Sequence, residues 1–176
     1  MRSIILRLLR LAQTSGNQPE MFFTEVRVDE LLMDVLEEIH ELDPGRKYHI
    51  NLDSLPDDPQ QLAIQANRPL LRIALTNVIE NAFKFSENKL VTVTPKVLKD
   101  QVKITVMDLG CGITEEDIPY IFDPFYRSES VRHLPGYGIG LPMVQKIVRM
   151  HNGTIEVFSN PFKGTTFVIR LPSHPL

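Results

Sequence analysis

Asn77-Val78-Ile79-Glu80-Asn81-Ala82-Phe83-Lys84 lies inside a longer, mostly apolar run, residues 70–85. Pro69 suits the first turn of a helix, where its missing N–H costs nothing. Leu71, Leu75, Val78, Ile79, Ala82 and Phe83 recur at helical spacing, so a long helix ending near Phe85 is predicted. Asn77, Asn81 and Lys84 fall at i, i+4 and i+7 and share one face of it. Asparagine competes for backbone hydrogen bonds and is a poor residue for a helix interior. Two of them on an otherwise apolar helix call for a reason. Carboxamide oxygens can ligate a hard cation such as Mg²⁺, and an ammonium can hold phosphate. A plain solvated face is the alternative.

Toward the C-terminus, residues 90–98 and 102–107 alternate as strands do, with Lys99-Asp100 as the turn between them. Asp108-Leu109-Gly110-Cys111-Gly112 follows directly. A carboxylate at the end of an apolar strand is either a turn cap or a buried acceptor. An acceptor there suits the exocyclic amine of adenine and rejects guanine, which presents a carbonyl at that edge. The glycines let the backbone pass close to a base. Taken alone, a plain turn is the simpler account.

Further on, Gly136-Tyr137-Gly138-Ile139-Gly140-Leu141 opens a helix with Pro142 in its first turn. Alternating glycines leave backbone N–H groups free to face an anion, and the helix N-terminus adds partial positive charge. A flexible hinge is the competing explanation. The spacing differs from the dinucleotide-binding GxGxxG, and the chain contains no GxxxxGK[ST]. Gly164-Thr165-Thr166-Phe167 leads into a last strand, residues 166–171, after a strand over 153–158 and the turn Pro161-Phe162-Lys163-Gly164. Between these motifs, residues 115–122 are expected as a short helix and residues 141–151 as a longer one. Residues 128–138 have no periodicity and are expected to form a loop.

On the N-terminal side, Asp29 is placed to cap a helix running to about Leu42, with Leu31, Leu32, Val35, Leu36 and Ile39 on its apolar face. Residues 22–28, 48–52 and 63–65 are expected as short strands. Residues 1–13 have the pattern of an amphipathic helix with nothing of their own to pack on, and residues 14–19 that of a linker. Strands gathered in the C-terminal half with helices between them predict a two-layer α/β sandwich.

The 176 residues carry a formal net charge of −3, so there is no overall basic field to attract nucleic acid. A phosphate-bearing ligand must be held by local groups or a metal. The single cysteine, Cys111, excludes an internal disulfide. The apolar run Ile4-Ile5-Leu6-Arg7-Leu8-Leu9-Arg10-Leu11 is interrupted by two arginines and is too short to span a bilayer.

In their order, the four motifs resemble the superfamily shared by histidine kinases, DNA gyrase and the mismatch-repair ATPases, the GHKL or Bergerat-fold domains. Residues 77–84 are similar to its N box and residues 108–112 to its first glycine box. Ile121-Phe122-Asp123-Pro124-Phe125-Tyr126-Arg127 is similar to the F box, residues 136–141 to the second glycine box and residues 164–167 to the third. The resemblance covers roughly residues 22–172. It implies an α/β (α+β) sandwich whose mixed, mostly antiparallel sheet is covered by helices on one face, with an ATP lid between the F box and the second glycine box.

Within the superfamily the N box separates two chemistries. The ATPase branch has glutamate four residues before the second asparagine, as a base that activates water. This chain has Asn77 there, and an amide cannot take a proton. Glu80 is turned about 100° from Asn81 on a helix, which makes it a supporting or solvent residue. Together with the Asp-Pro-Phe-Tyr-Arg run, this resembles the sensor histidine kinases, with a GHKL-type ATPase or a silent nucleotide-binding regulatory module as the alternative.

The resemblance then implies ATP as ligand, with Asn77 and Asn81 on Mg²⁺ or phosphate and Asn81 and Lys84 as the catalytic pair. Asp108 would read adenine, with Gly110, Gly112 and Ile113 beside it. Gly136, Tyr137, Gly138, Ile139, Gly140 and Leu141 would close over the triphosphate, and Thr166 would touch the nucleotide from the last strand. Phe122 and Phe125 would plug the base of the lid, with simple core as an equal reading. Arg127, and in the lid Arg132 and His133, would reach phosphate, with surface ion pairing the alternative for Arg127. Tyr126 would face a docking helix. The implied partners are a histidine-bearing dimerisation domain and a response-regulator receiver domain, the parent protein being homodimeric and anchored in the inner membrane with this domain in the cytoplasm. Residues 1–19 would be the end of the dimerisation helix and its linker, and residues 20–176 the ATP-binding domain. His40-Glu41-Leu42-Asp43-Pro44 is one residue short of the family's acceptor signature, His-Glu-x-x-x-Pro, and lies inside the domain. His40 is therefore expected as an exposed helix-end residue, with the acceptor histidine outside the chain.

Overall fold

The computed structural model describes residues 22–53, 55–86 and 90–173. The helix expected over residues 1–13 and the linker over 14–19 lie outside the described residues.

The long helix is α2 in chain order, Arg68–Phe85; β1 is Thr24–Arg27, α1 Val28–Leu42, β2 Tyr48–Ile50 and β3 Ala63–Ala66. After α2 come β4 Val91–Leu98, β5 Gln101–Met107, α3 Gly140–Met150, β6 Thr154–Asn160 and β7 Gly164–Pro172. One sheet has the order β2-β4-β5-β7-β6, with β2 parallel to β4 and every other pair antiparallel. β1 and β3 form a separate antiparallel ribbon.

Register explains which sheet face is covered. Val93, Val106, Phe167 and Val157 stand opposite one another across four strands, and Pro95, Ile104, Ile169 and Ile155 form the next row. These rows meet the buried stripe of α2 (Leu71, Leu75, Val78, Ile79, Ala82, Phe83) and that of α3 (Met143, Val144, Ile147, Val148). The alternate residues, among them Lys96, Lys103 and Arg170, line up on the open face. A two-layer sandwich results, with the core between sheet and helices. α1 packs on α2 through its own apolar stripe, and Arg68–Asp34 and Arg72–Glu38 pairs, both 2.6 Å, span the two helices at the surface. Exposed pairs of this kind contribute about 0–1 kcal/mol each, so the apolar stripe does most of the holding.

Asn67 caps α2, its Oδ1 accepting from Leu70 N–H at 3.1 Å. The expectation that Asp29 caps α1 is corrected. That helix starts at Val28, with Arg27, two residues before Asp29, in the cap position, and Asp29 pairs in a forked geometry with the Arg27 guanidinium, Nε to Oδ1 at 2.9 Å. Residues 115–122 are not a helix either; only Ile118–Tyr120 form a single 3₁₀ turn. Pro119 at its start supplies no N–H to extend it. Two further 3₁₀ turns, Pro59–Leu62 and Glu129–Val131, were not legible from periodicity.

His151, at the end of α3, is 3% exposed. Its Nε2 accepts from Asn67 N–H at 3.0 Å, so Nδ1 carries the proton and donates to Ile147 O at 2.8 Å. One neutral imidazole thereby ties the start of α2 to the end of α3. Those are the two helices that frame the site.

Candidate functional site

A cavity of about 500 Å³ opens between α2, the end of β5 and the start of α3. That is the size of a small-molecule or cofactor pocket.

α2 supplies one wall. Asn77, Asn81 and Lys84 all line the cavity, because the opposite stripe of the helix is locked in the core. Asn77 Nδ2 donates back to Ile73 O at 2.8 Å. This turns Oδ1 toward α3, where it stands 3.0 Å from the place a Cβ on Gly140 would occupy. Asn81 lies beside the same point, its Nδ2 at 3.9 Å. Two carboxamides and the N-terminus of α3 thus converge although they are far apart in the chain. Lys84 lies 4.7 Å from the Phe85 ring centroid. Burial lowers its pKa from the ordinary lysine value, and the nearby positive charge of Arg127 lowers it further.

Asp108 directly follows β5 and is 3% exposed. Its Oδ1 accepts from Gly110 N–H at 2.7 Å and from Thr165 N–H at 3.2 Å. Both bonds go to one oxygen, Oδ1, and Asp108 lines the cavity. Burial pushes this carboxyl above the usual aspartate value, opposed by the two backbone bonds. The turn after it must be tight. A Cβ on Gly110 would lie 2.4 Å from Phe85 O, so only glycine lets the turn close on the end of α2.

The lid completes the wall. Gly136, Tyr137, Gly138, Ile139, Gly140 and Leu141 line the cavity, with Gly112 and Ile113 opposite. Gly138 has φ +68°, and a side chain there would strike the backbone of Phe125 and Tyr126. Lys84 Nζ lies 3.0 Å from the position of a Gly136 Cβ, so the lid rests over the lysine. Arg127 also lines the cavity, but its guanidinium is bonded to lid carbonyls, Gly136 O at 3.0 Å and Val131 O at 2.8 Å among them.

Several expected residues lie elsewhere. Thr166 is corrected to Thr165: successive strand residues face opposite ways, so Thr165 and Phe167 reach the cavity while Thr166 pairs with Met107 and Phe158 on the open face. Gly110 and Phe122 do not line the cavity. Gly110 shapes the Asp108 turn, and Phe122 packs on the edge of the core. Phe125 is no plug: it is 76% exposed. Its backbone sits at φ +68°, and its N–H donates to Gly138 O. Tyr126 lines the cavity and donates its hydroxyl to Asp117 at 2.6 Å. Arg132 and His133 are exposed and are not among the residues lining the cavity; Arg132 lies 3.4 Å from Glu129. His40 is exposed on α1, near Tyr48 and away from the cavity.

Sequence reasoning missed Arg46, Thr165 and Phe167, and it turned Glu80 away from a rim that Glu80 in fact reaches. Arg46 lies 3.2 Å from Asp43, 3.9 Å from Glu80 and 5.3 Å from the Phe83 ring. No motif marks that loop. Thr165 was legible, because counting back by two from apolar Phe167 reaches it.

Among the described residues no cluster of three or more His, Cys, Asp or Glu side chains could hold a metal by itself. The two carboxamides fit a different arrangement. Mg²⁺ bound with a nucleotide takes one or two protein oxygens and completes its shell with phosphate and water.

Residues 66–175 match the family of histidine kinase-, DNA gyrase B- and HSP90-like ATPases. The chain belongs to this family. Membership brings ATP binding with it, and the cavity is where this ATPase-family domain gathers its buried carboxylate, its carboxamides and its glycine lid. Among curated relatives, the sensor-like histidine kinase SenX3 of Mycobacterium tuberculosis is 29% identical over 173 residues, 97% of this chain and 41% of its own length. The domain therefore spans about two fifths of that relative. Among solved structures, the catalytic domain of the histidine kinase ThkA is 26% identical with a TM-score of 0.71, covering 87% of this chain and 99% of that one. Full-length ShkA, solved in complex with AMPPNP, is 25% identical with a TM-score of 0.76, covering 97% of this chain and 35% of that one.

Proposed function

We propose that this chain is the ATP-binding catalytic domain of a two-component sensor histidine kinase. It transfers the γ-phosphoryl group of ATP to a histidine on a dimerising helical hairpin, for relay to an aspartate on a response regulator. The observation that carries the reading is the convergence of Asp108, the Asn77-Asn81-Lys84 row and the glycine lid on one cavity. Phosphoryl transfer needs positioning and charge neutralisation more than covalent help from the protein. Asp108 accepts the adenine amine, Asn77 and Asn81 hold Mg²⁺ with the phosphates, and Lys84 neutralises phosphate charge. Mg²⁺ held by Asn77 and Asn81 would supply positive charge to offset that of the phosphates. A hydrolytic reading has no base at position 77, where Asn77 commits its Nδ2 to Ile73 O.

We further propose that the domain is cytoplasmic in a homodimeric parent anchored in the inner membrane, with residues 1–19 as the end of the hairpin helix and its linker; the sensor-kinase names of the relatives support the cytoplasmic placement. No helix among the described residues is long and apolar enough to cross a membrane. Calorimetric titration with Mg-ATP, GTP and metal-free ATP tests the pocket. Adenine-selective, metal-dependent binding is expected, and equal affinity for GTP would sink the assignment of Asp108. Adding a separately expressed hairpin domain tests the transfer. Acid-labile label from γ-labelled ATP should appear on the hairpin, and label on this chain alone would implicate His40 instead.

A further inference from the structure

No residue from Ser128 to Gly138 is fully buried, so the lid contributes no side chain to the core. Its internal backbone bonds are short-range only: Val131 N–H to Ser128 O, Arg132 N–H to Glu129 O and Leu134 N–H to Val131 O, at 3.1–3.3 Å. Isolated turns of this kind are marginal. Yet four carbonyls of one short stretch point inward at a single cation. Arg127 Nη1 donates to Gly136 O at 3.0 Å, and Nη2 reaches Val131 O at 2.8 Å, Arg132 O at 3.2 Å and Leu134 O. Loop carbonyls ordinarily turn outward to water. Drawing four of them onto one guanidinium requires the stretch to wind around it.

We propose that Arg127 is the positioning residue of the lid: before any nucleotide arrives, its guanidinium winds residues 131–136 around itself and suspends Gly136 over Lys84. The flat guanidinium suits the role, because the N–H groups of Nη1 and Nη2 lie in one plane and meet carbonyls from several sides, with Arg132 O at 3.2 Å sharing an Nη2 hydrogen. A lysine ammonium brings the same charge with three donors from one point. The winding also keeps Arg127 near Lys84, so two cations share the cavity wall. An arriving anion relieves their repulsion. The winding itself does not depend on what the cavity binds; only its use over a triphosphate rests on the proposed function.

Hydrogen–deuterium exchange of the full chain without nucleotide tests this. In Arg127→Lys the amides of Val131, Arg132 and Leu134 should exchange about tenfold faster or more, since hydrogen bonds to a charged group are the stronger kind. The amides of β5 and α2 should keep their wild-type protection. Arg127→Ala should give the same pattern, and if it also loosens β5 and α2, the lysine variant alone decides. Wild-type exchange in the lid of Arg127→Lys would overturn the proposal and leave Arg127 as a phosphate contact only. Titration of the wild-type chain with Mg-ATP reports separately on the nucleotide reading, so failure of one is not mistaken for failure of the other.

Discussion

Replacing Asp108 with asparagine changes one atom at the bottom of the cavity. In the wild type, Oδ1 is held by Gly110 N–H at 2.7 Å and Thr165 N–H at 3.2 Å. An asparagine Oδ1 can keep both bonds, so the turn and the start of β7 need not move. The change falls on the other position, where an acceptor becomes an N–H donor facing the exocyclic amine of adenine. Losing that bond and opposing two donors costs roughly 1–3 kcal/mol, or about 5- to 150-fold in affinity. The same donor matches the carbonyl that guanine presents, so the ATP to GTP preference should fall by more than ATP affinity alone. Calorimetric titration of both nucleotides measures this. A melting curve checks that the fold is intact, with a shift of no more than about 3 °C expected. ATP affinity within twofold of wild type, at an unchanged melting temperature, would refute the adenine-reading role and leave Asp108 as a turn cap.

Three other outcomes are expected. Asn81→Ala should make ATP affinity nearly independent of Mg²⁺, while the wild type binds more tightly with the metal; titration with and without EDTA reads the difference. Cys111, which lines the cavity, should be alkylated by a maleimide more slowly when Mg-ATP is bound, and equal rates with and without nucleotide would place the ligand elsewhere. His151 has its pKa lowered, chiefly by burial, although its bond with Ile147 O opposes the shift. The folded state therefore disfavours the imidazolium, and stability should be complete above the ordinary histidine pKa and decline as pH falls through it. Urea midpoints at pH 7.5 and 5.5 should differ in the wild type and differ less in His151→Gln.

The helices and the inner strands were legible because their apolar residues repeat at 3.6 or 2 and the core takes up those same stripes. α2 keeps its expected end at Phe85, and β5 its end at Met107. Failures fall where local chemistry outweighs periodicity. Asp29 looks like a cap until the neighbouring Arg27 claims its carboxylate. Residues 115–122 look helical until Pro119 withholds an N–H. The Thr166 error was one of register, since a single-residue slip moves a side chain to the other face of the sheet. Arg46 was invisible for another reason: it reaches the cavity only because the loop after α1 passes the rim beside Glu80, a contact set by tertiary packing.

One helix carries both the core and the chemistry, and this ties stability to function. α2 buries Leu71, Leu75, Val78, Ile79, Ala82 and Phe83 on one side. On the other it turns Asn77, Asn81 and Lys84 into the cavity. A solvent-facing polar stripe would tolerate a few degrees of helix rotation. This stripe has to keep Asn77 Oδ1 beside Gly140 and Lys84 beside Gly136, so the rotation of the helix about its axis has to be fixed. Close packing of the opposite stripe supplies that constraint, because interdigitated side chains resist rotation. The neutral His151 supplies another by fixing the start of α2 to the end of α3, the helix whose first turn faces the same asparagines. The asparagines, poor helix formers taken singly, are held in helical geometry by packing that does not involve them. Their carboxamides are therefore aimed before a ligand arrives, and ordering them adds little to the entropy cost of binding.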